Sequence, residues 1–364
     1  MLIQNAKAFI DGKFQEKTDL LIRDGRISAI GTGLAAEGEE LLDLGGDLLL
    51  PGFVDVHIHA FKGMDAMQGE EAVRHMSREL KKVGVAAFLP TTMSASPEDT
   101  VRALAGVKAV MERPEPDGAI VLGAHMEAPF LAEAKAGAQL KQYFADPNEE
   151  NWQRYTGGLE SVVRLITMAP ERAGALAFIS ALTKKGITVS IGHTTADAET
   201  THAAAEAGAT HVTHTFNAQT PLNHRAPGVP GAALVDDRLQ CEVISDGIHL
   251  HPDIVKLIIR TKGKEKLVAI TDAMEAAGMP DGQYQLGGQE VFVHEGAARL
   301  KDGTLAGSTL TMIRAFQNLI RFGATPEEAA LMTTKTPALS IGNEELGESE
   351  LGAPAIFSRF DENY

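Results

Sequence analysis

Histidines and carboxylates fall at the C-terminal ends of a series of apolar runs: His57 and His59, Glu127, His193, His214, Asp246 and His249, and Asp272. Imidazole nitrogens and carboxylate oxygens are the donors that suit Zn²⁺, Fe²⁺ and similar divalent ions. In His57-Ile58-His59 the two-residue repeat of an extended strand puts both rings on one face. A lone histidine at a strand end is most simply a hydrogen-bonded core or rim residue. The same placement repeated on several strands differs, because packing alone has no need of so many polar groups in one mouth. An ion held by such a set can act as a Lewis acid and lower the pKa of a bound water, so metal-assisted chemistry is what these residues suit. His75, His202, His251 and His294 lie in helix or loop contexts and are read as surface residues. His211 alternates to the strand face opposite His214, and Cys241 reads as a small buried hydrophobe rather than a nucleophile.

Those strand ends imply a scaffold. Up to about Gly46, short apolar runs are broken by Asp11-Gly12 and Asp24-Gly25, dipeptides that supply the positive φ of tight hairpins. This stretch predicts a small β-meander. Beyond Pro51 the rhythm becomes apolar strand, polar loop and Ala-rich amphipathic helix, with strands predicted at 48–59, 83–92, 119–128, 162–169, 187–193, 210–217, 240–249 and 266–273. Helices are predicted at 66–82, 97–111, 172–185, 196–207 and 252–260, and Glu149-Glu150 reads as the start of another. Eight strands with crossover helices match a (β/α)8 barrel. The rival doubly wound sheet keeps a glycine-rich phosphate loop after its first strand, and no G-x-G-x-x-G is present. The expected division is a catalytic barrel over 51–335 and a small β-sandwich-like domain formed by 1–50 with 336–364. Long interruptions at 217–239 and 274–300 follow strands, which in a barrel places them at the active-site mouth as substrate-shaping loops.

Composition narrows the partners. Of 364 residues, 33 are Lys or Arg and 49 are Asp or Glu, a formal net charge of −16 that repels nucleic acid and anionic membrane. An anionic substrate would need a locally basic pocket. The single cysteine cannot form an internal disulfide, the first residues lack the pattern of a secretory signal, and no run reaches the roughly 20 apolar residues of a membrane span. The cytoplasm is the expected compartment.

The segment Pro51-Gly-Phe-Val-Asp-Val-His-Ile-His59 resembles the first-strand signature of the amidohydrolase superfamily, whose members hold one or two metal ions at the mouth of a (β/α)8 barrel. Gly123-Ala-His-Met-Glu-Ala-Pro-Phe130, Ser190-Ile-Gly-His-Thr194, Thr213-His-Thr-Phe-Asn-Ala218, His224-Arg-Ala-Pro-Gly228, Ser245-Asp-Gly-Ile-His249, Thr271-Asp-Ala273 and Gly303-Thr-Leu-Ala-Gly-Ser308 are similar to motifs of the N-acetylglucosamine-6-phosphate deacetylase family. The similarity runs in order over nearly the whole chain. It implies a metal held by Glu127, His193 and His214, with His57 and His59 completing a second ion's site, and Asp272 as the catalytic acid and base. Ala138, Gln139, Asn217, Ala218, Arg225, Asp246, His249, Leu305, Ala306 and Gly307 fall at positions that contact the amino-sugar phosphate. A homodimer whose neighbouring subunit completes the site is implied as well.

This sequence departs from the family pattern. The usual Glu-Gly-Pro is Glu127-Ala-Pro129, and Gln139 stands where many members carry a His that contacts the acyl oxygen. A glutamine donates a hydrogen bond but carries no positive charge. The sequence given ends at Tyr364, before the last strands of many relatives, so a smaller or differently closed β unit is expected. Two rival readings stay open: a cyclic-amide hydrolase, disfavoured because no Lys ends the fourth strand, and a non-catalytic sugar-phosphate binder on the same fold.

Overall fold

The computed structural model of the chain describes residues 1–35 and 38–361. Its centre is a ring of parallel strands in the order Phe53–Ile58, Val85–Thr92, Ala124–Met126, Val163–Met168, Thr188–Ile191, His211–Val212, Gln240–Ile244 and Leu267–Ile270. A short piece, Ile120–Val121, precedes the third strand and pairs with the second. The ring closes where Ile58 bridges Ala273 and Asp272 N–H donates to the His57 carbonyl at 2.8 Å. These strands are buried on both faces, as a parallel sheet wrapped by helices requires, and so carry near-continuous apolar runs.

The helices show why the chain wraps the sheet. Met312–Arg321 is capped by Thr311, whose hydroxyl accepts from Arg314 N–H, and it buries Met312, Ala315, Phe316 and Leu319. That spacing puts one apolar stripe against the barrel and leaves the polar face in water. Pro326–Thr333 starts with a reciprocal capping box between Thr325 and Glu328.

The run 48–59, predicted as one strand, is two. Leu48–Pro51 belongs to a separate sheet and Phe53–Ile58 to the barrel. Gly52 divides them at a point where a Cβ would lie 2.6 Å from that of Ala86, so only glycine admits the crossing. In the separate sheet Leu48–Pro51 pairs with both Leu2–Ile10 and Phe357–Phe360, and the hairpin turns at Asp11-Gly12 and Asp24-Gly25 have positive φ at both residues. Phe360 joins this sheet to the barrel through ring contacts with Phe53 at 6.0 Å and Phe316 at 5.4 Å. Residues 362–364, part of the predicted β unit, lie outside the described residues.

Both long interruptions carry regular elements. The first contains helix Gly228–Val235. The second folds as a three-stranded antiparallel sheet, Gly282–Leu286, Gln289–His294 and Ala297–Arg299, over its own core of Met93, Met274, Leu286, Val291 and Ala306. Leu286 and Met93 carry that core to the wall of a cavity at the barrel mouth. Among the described residues no helix is long and apolar enough to cross a membrane.

Candidate metal centre

A cavity of about 470 Å³ opens over the C-terminal ends of the barrel strands, and its floor is His59, Glu127, His193, His214 and Asp272. The backbone turns sharply where it leaves the strands: His193, His214 and Asp272 have φ of 47°, 28° and 50°. Left-handed φ is uncommon outside glycine, although His and Asp tolerate it better than most residues, and it persists only where neighbouring bonds hold it. Asp272 is held on both sides, by its N–H on the His57 carbonyl and by Ser308 N–H on its own carbonyl at 2.7 Å.

Glu127 is the hub. Its Oε1 lies 3.1 Å from His193 Nε2, 3.0 Å from His214 Nε2 and 3.5 Å from His57 Nε2. Its Oε2 lies 3.2 Å from His59 Nε2 and accepts from Gln139 Nε2 at 2.5 Å. Asp272 Oδ1 stands 3.1 Å from His59 Nε2. Two three-residue groups therefore converge, His57, His59 and Glu127 on one side and Glu127, His193 and His214 on the other.

The outer ring nitrogens decide which way the lone pairs point. His59 Nδ1 lies 3.2 Å from the Thr91 carbonyl and His193 Nδ1 2.8 Å from the Lys135 carbonyl. A carbonyl only accepts, so in both rings Nδ1 carries a hydrogen and Nε2 is the nitrogen left to offer a lone pair to an ion. His57 Nδ1 lies 3.1 Å from Glu242 Oε2, with the same consequence. His193 Nε2 and His214 Nε2 are 3.1 Å apart, and His57 Nε2 is buried without a hydrogen-bond partner. Inward lone pairs beside a carboxylate repel one another unless a cation lies among them, so this donor set fits one or two divalent ions.

Without an ion, protons on the imidazoles supply the positive charge that a metal would bring, and the carboxylates respond to it. Burial opposes ionisation of Glu127, yet the His57 and His193 rings and hydrogen bonds from His193 and His214 outweigh it and hold the carboxyl well below its ordinary pKa. Burial also opposes a charged Asp272, and His57 and His59 overcome it, lowering that carboxyl too. Both carboxylates are thus ionised at neutral pH.

Several partners escaped the sequence analysis. Asp55 is wholly buried and accepts from the Thr271 hydroxyl at 2.6 Å, tying the eighth strand to the first beside Asp272; burial pushes its carboxyl up to about 6 against the bonds from Thr271 and His57. His125 packs edge-on against His57 with centroids 4.5 Å apart, its proton affinity pushed well down by burial and by the His57 charge. It begins a hydrogen-bonded belt beneath the site, with His125 Nε2 on Thr167 Oγ1 at 2.8 Å, Thr167 on Thr213 at 2.8 Å and Thr213 on Ser190 at 2.6 Å. The alternation of small hydroxyl residues on three strands was the available signal. Lys135 and Lys141 also line the cavity.

Of the residues expected to contact substrate, Ala138, Gln139, Asn217, Ala218, His249, Leu305 and Gly307 line the cavity. Asp246 and Ala306 do not; Asp246 accepts from His249 Nδ1 at 2.7 Å, and Ala306 is buried behind the wall. Arg225 is exposed, on the segment between Leu222 and Ala226, and is not among the residues lining the cavity. Asn217 N–H is engaged by the His214 carbonyl at 2.9 Å. His211 is fully buried, and burial lowers its pKa to about 4; Cys241 is buried as well, its thiol pushed up to about 11.

The closed parallel barrel, with its histidine and carboxylate cluster at the C-terminal mouth, places the fold among the (β/α)8 hydrolases. The chain belongs to the amidohydrolase family, whose profile matches residues 48–363. It is 36% identical over 370 residues to an N-acetylglucosamine-6-phosphate deacetylase of Lysinibacillus sphaericus, covering 100% of this chain and 94% of that one. It is 37% identical to an N-acetylgalactosamine-6-phosphate deacetylase of Escherichia coli O157:H7, over 89% of this chain and 85% of that one. Among solved structures, a mutant N-acetyl-D-glucosamine-6-phosphate deacetylase of Mycobacterium smegmatis in complex with N-acetyl-D-glucosamine-6-phosphate superposes with a TM-score of 0.90 at 33% identity, covering 100% of this chain and 95% of that one.

Because both donor groups share Glu127, replacing it should undo both. Glu127→Ala is expected to lose all metal on passage through a desalting column, read by elemental analysis beside the wild type. Full retention would place the metal elsewhere.

Proposed function

We propose that this chain hydrolyses the N-acetyl group of N-acetylglucosamine 6-phosphate, giving glucosamine 6-phosphate and acetate. The observation that carries the reading is the convergence of His59, His193, His214 and Asp272 on Glu127 at the floor of a cavity of sugar-phosphate size, in a chain whose relatives bear that activity in their names. A divalent ion at this centre supplies an activated water and polarises the acyl oxygen. Zn²⁺ and Fe²⁺ both suit the donor set, and the two converging groups favour two ions over one.

Asp272 is ionised and faces the cavity, so its carboxylate takes the proton released as water oxygen adds to the acyl carbon. The same proton then passes to the sugar nitrogen as the carbon–nitrogen bond breaks, which spares the departure of an amide anion. Gln139 is fixed for a supporting part, since Ser94 N–H donates to its Oε1 at 2.7 Å and its Nε2 is turned towards Glu127. A neutral amide there leaves more of the acyl polarisation to the metal than a charged imidazole would.

For the phosphate, Ala218 and His249 face the cavity, and Asp246 orients the His249 ring. Binding at this remote group places the acetamide against the attacking water. Arg225 is part of the same proposal through a second subunit: its exposed segment suits contact with a neighbouring cavity in a homodimer. A cytoplasmic enzyme accords with one buried thiol and no cystine. The catalytic unit expected over 51–335 is extended in this proposal through helix Lys335–Ser340, which packs on barrel strands, leaving the two ends of the chain to form the small β unit.

Asp272→Asn should keep its metal and lose acetate release from N-acetylglucosamine 6-phosphate by about 10³-fold or more, consistent with loss of general acid and base catalysis. Near-normal turnover would remove Asp272 from the mechanism. Arg225→Ala should raise KM for the phosphorylated sugar by about tenfold or more, the value of one charge-assisted contact, and leave the unphosphorylated sugar unchanged. An equal loss on both would show that Arg225 does not bind the phosphate.

A further inference from the structure

Two of the inward-facing rings are oriented by main-chain carbonyls, which side-chain substitution leaves in place: His59 by Thr91 and His193 by Lys135. His57 is different. Its Nδ1 rests on the side chain of Glu242, 185 residues away on the seventh barrel strand, Gln240–Ile244. Both side chains are completely buried. Among the described residues Glu242 pairs with His57, and no arginine or lysine lies within ion-pair distance of it. Its Oε1 is buried without a hydrogen-bond partner, and its remaining contact is an N–H from His214 at 3.4 Å.

A carboxylate placed so deep is costly unless something compensates it. Structural economy does not account for it, since half of its acceptor capacity is unused and a leucine would fill similar space. What Glu242 supplies is an acceptor at the one position that fixes the hydrogen of His57 on Nδ1. The ring's Nε2 lone pair is then directed at Glu127 Oε1 and Asp272 Oδ1, each 3.5 Å away. A ring bound to a divalent ion becomes a stronger donor through its other nitrogen, so the buried carboxylate and the ion stabilise each other through the imidazole.

We propose that Glu242 is the positioning residue of the second metal site: through His57 it specifies the ion held by His57, His59 and Glu127, and leaves the ion of Glu127, His193 and His214 unaffected. This rests on the two-ion reading above. Glu242 does not touch substrate; its shorter contact, at 3.1 Å, is with the His57 ring, and the main-chain N–H of His214 stands farther off at 3.4 Å.

The test compares wild type, Glu242→Leu and Glu242→Gln, each stripped by chelation and titrated with Co²⁺, with metal per chain read by elemental analysis and each site by its visible absorption. Glu242→Leu removes the acceptor, whereas the amide oxygen of Glu242→Gln can still take the hydrogen from His57. Wild type is expected to bind two ions. Glu242→Leu should hold one ion with unchanged affinity and bind the other about 10–100-fold more weakly, the usual cost of losing an outer partner, and Glu242→Gln should recover most of that loss. Equal affinity for both ions in Glu242→Leu and wild type overturns the proposal. One ion in wild type overturns the two-ion reading itself, and the proposal with it. If Glu242→Leu does not fold, long-range ¹⁵N–¹H correlation on Zn²⁺-loaded wild type decides: a hydrogen on Nδ1 of His57 and none on Nε2 supports the proposal, and a hydrogen on Nε2 overturns it.

Discussion

Glu127 is a carboxylate withdrawn from water at the mouth of the barrel, with histidine nitrogens on both of its oxygens. Burial alone would neutralise it, and the surrounding rings keep it ionised. Everything else at the site follows from that constraint. To hold an ion a ring must present a lone pair at Nε2, so His57, His59 and His193 each rest Nδ1 on an acceptor, whereas His214 Nδ1 is buried without one. Those acceptors come from different elements: a carbonyl ending the second strand, a carbonyl in the loop after the third, and a carboxylate on the seventh. Only a closed barrel brings these elements to one point.

The scaffold holds the chemistry through bonds that cross the closure. Asp55 on the first strand takes hydrogen bonds from Thr271, and Asp272 N–H donates to the His57 carbonyl, so the seam of the barrel is also the place where the proposed proton carrier is fixed. Beneath it the belt of His125, Thr167, Thr213 and Ser190 satisfies its own polar groups and gives the rings a rigid floor. Left-handed φ at His193, His214 and Asp272 is tolerated because these neighbours leave the backbone little alternative.

Much of this was legible in the sequence, and the parts that were not share a physical cause. Strand-end position and residue type singled out His57, His59, Glu127, His193, His214 and Asp272, and the structure brings all six together. The eight-strand count held, because a buried parallel strand leaves a continuous apolar run. The break at Gly52 was missed because it depends on contact with Ala86, a residue on another strand. The sheet over 282–299 was read as loop, although Gly287-Gly288 between alternating residues is a hairpin signal in its own right. Asp55, His125 and Glu242 escaped for a deeper reason. A buried polar residue is recognised by its partners, and the partner of Glu242 lies 185 residues away. Arg225 marks a further limit: the motif that singled it out carries no sign that its side chain would be exposed rather than part of the cavity lining.

The central claim is that a divalent ion at the Glu127 centre drives deacetylation of an amino-sugar phosphate. Acetate released from N-acetylglucosamine 6-phosphate, measured on the same preparation as isolated, after chelation and after refilling with Zn²⁺ or Fe²⁺, tests it most directly. Release should vanish with the metal and return in proportion to the ions restored per chain. Undiminished release from metal-free protein would contradict the account, as would the absence of acetate from a fully loaded sample.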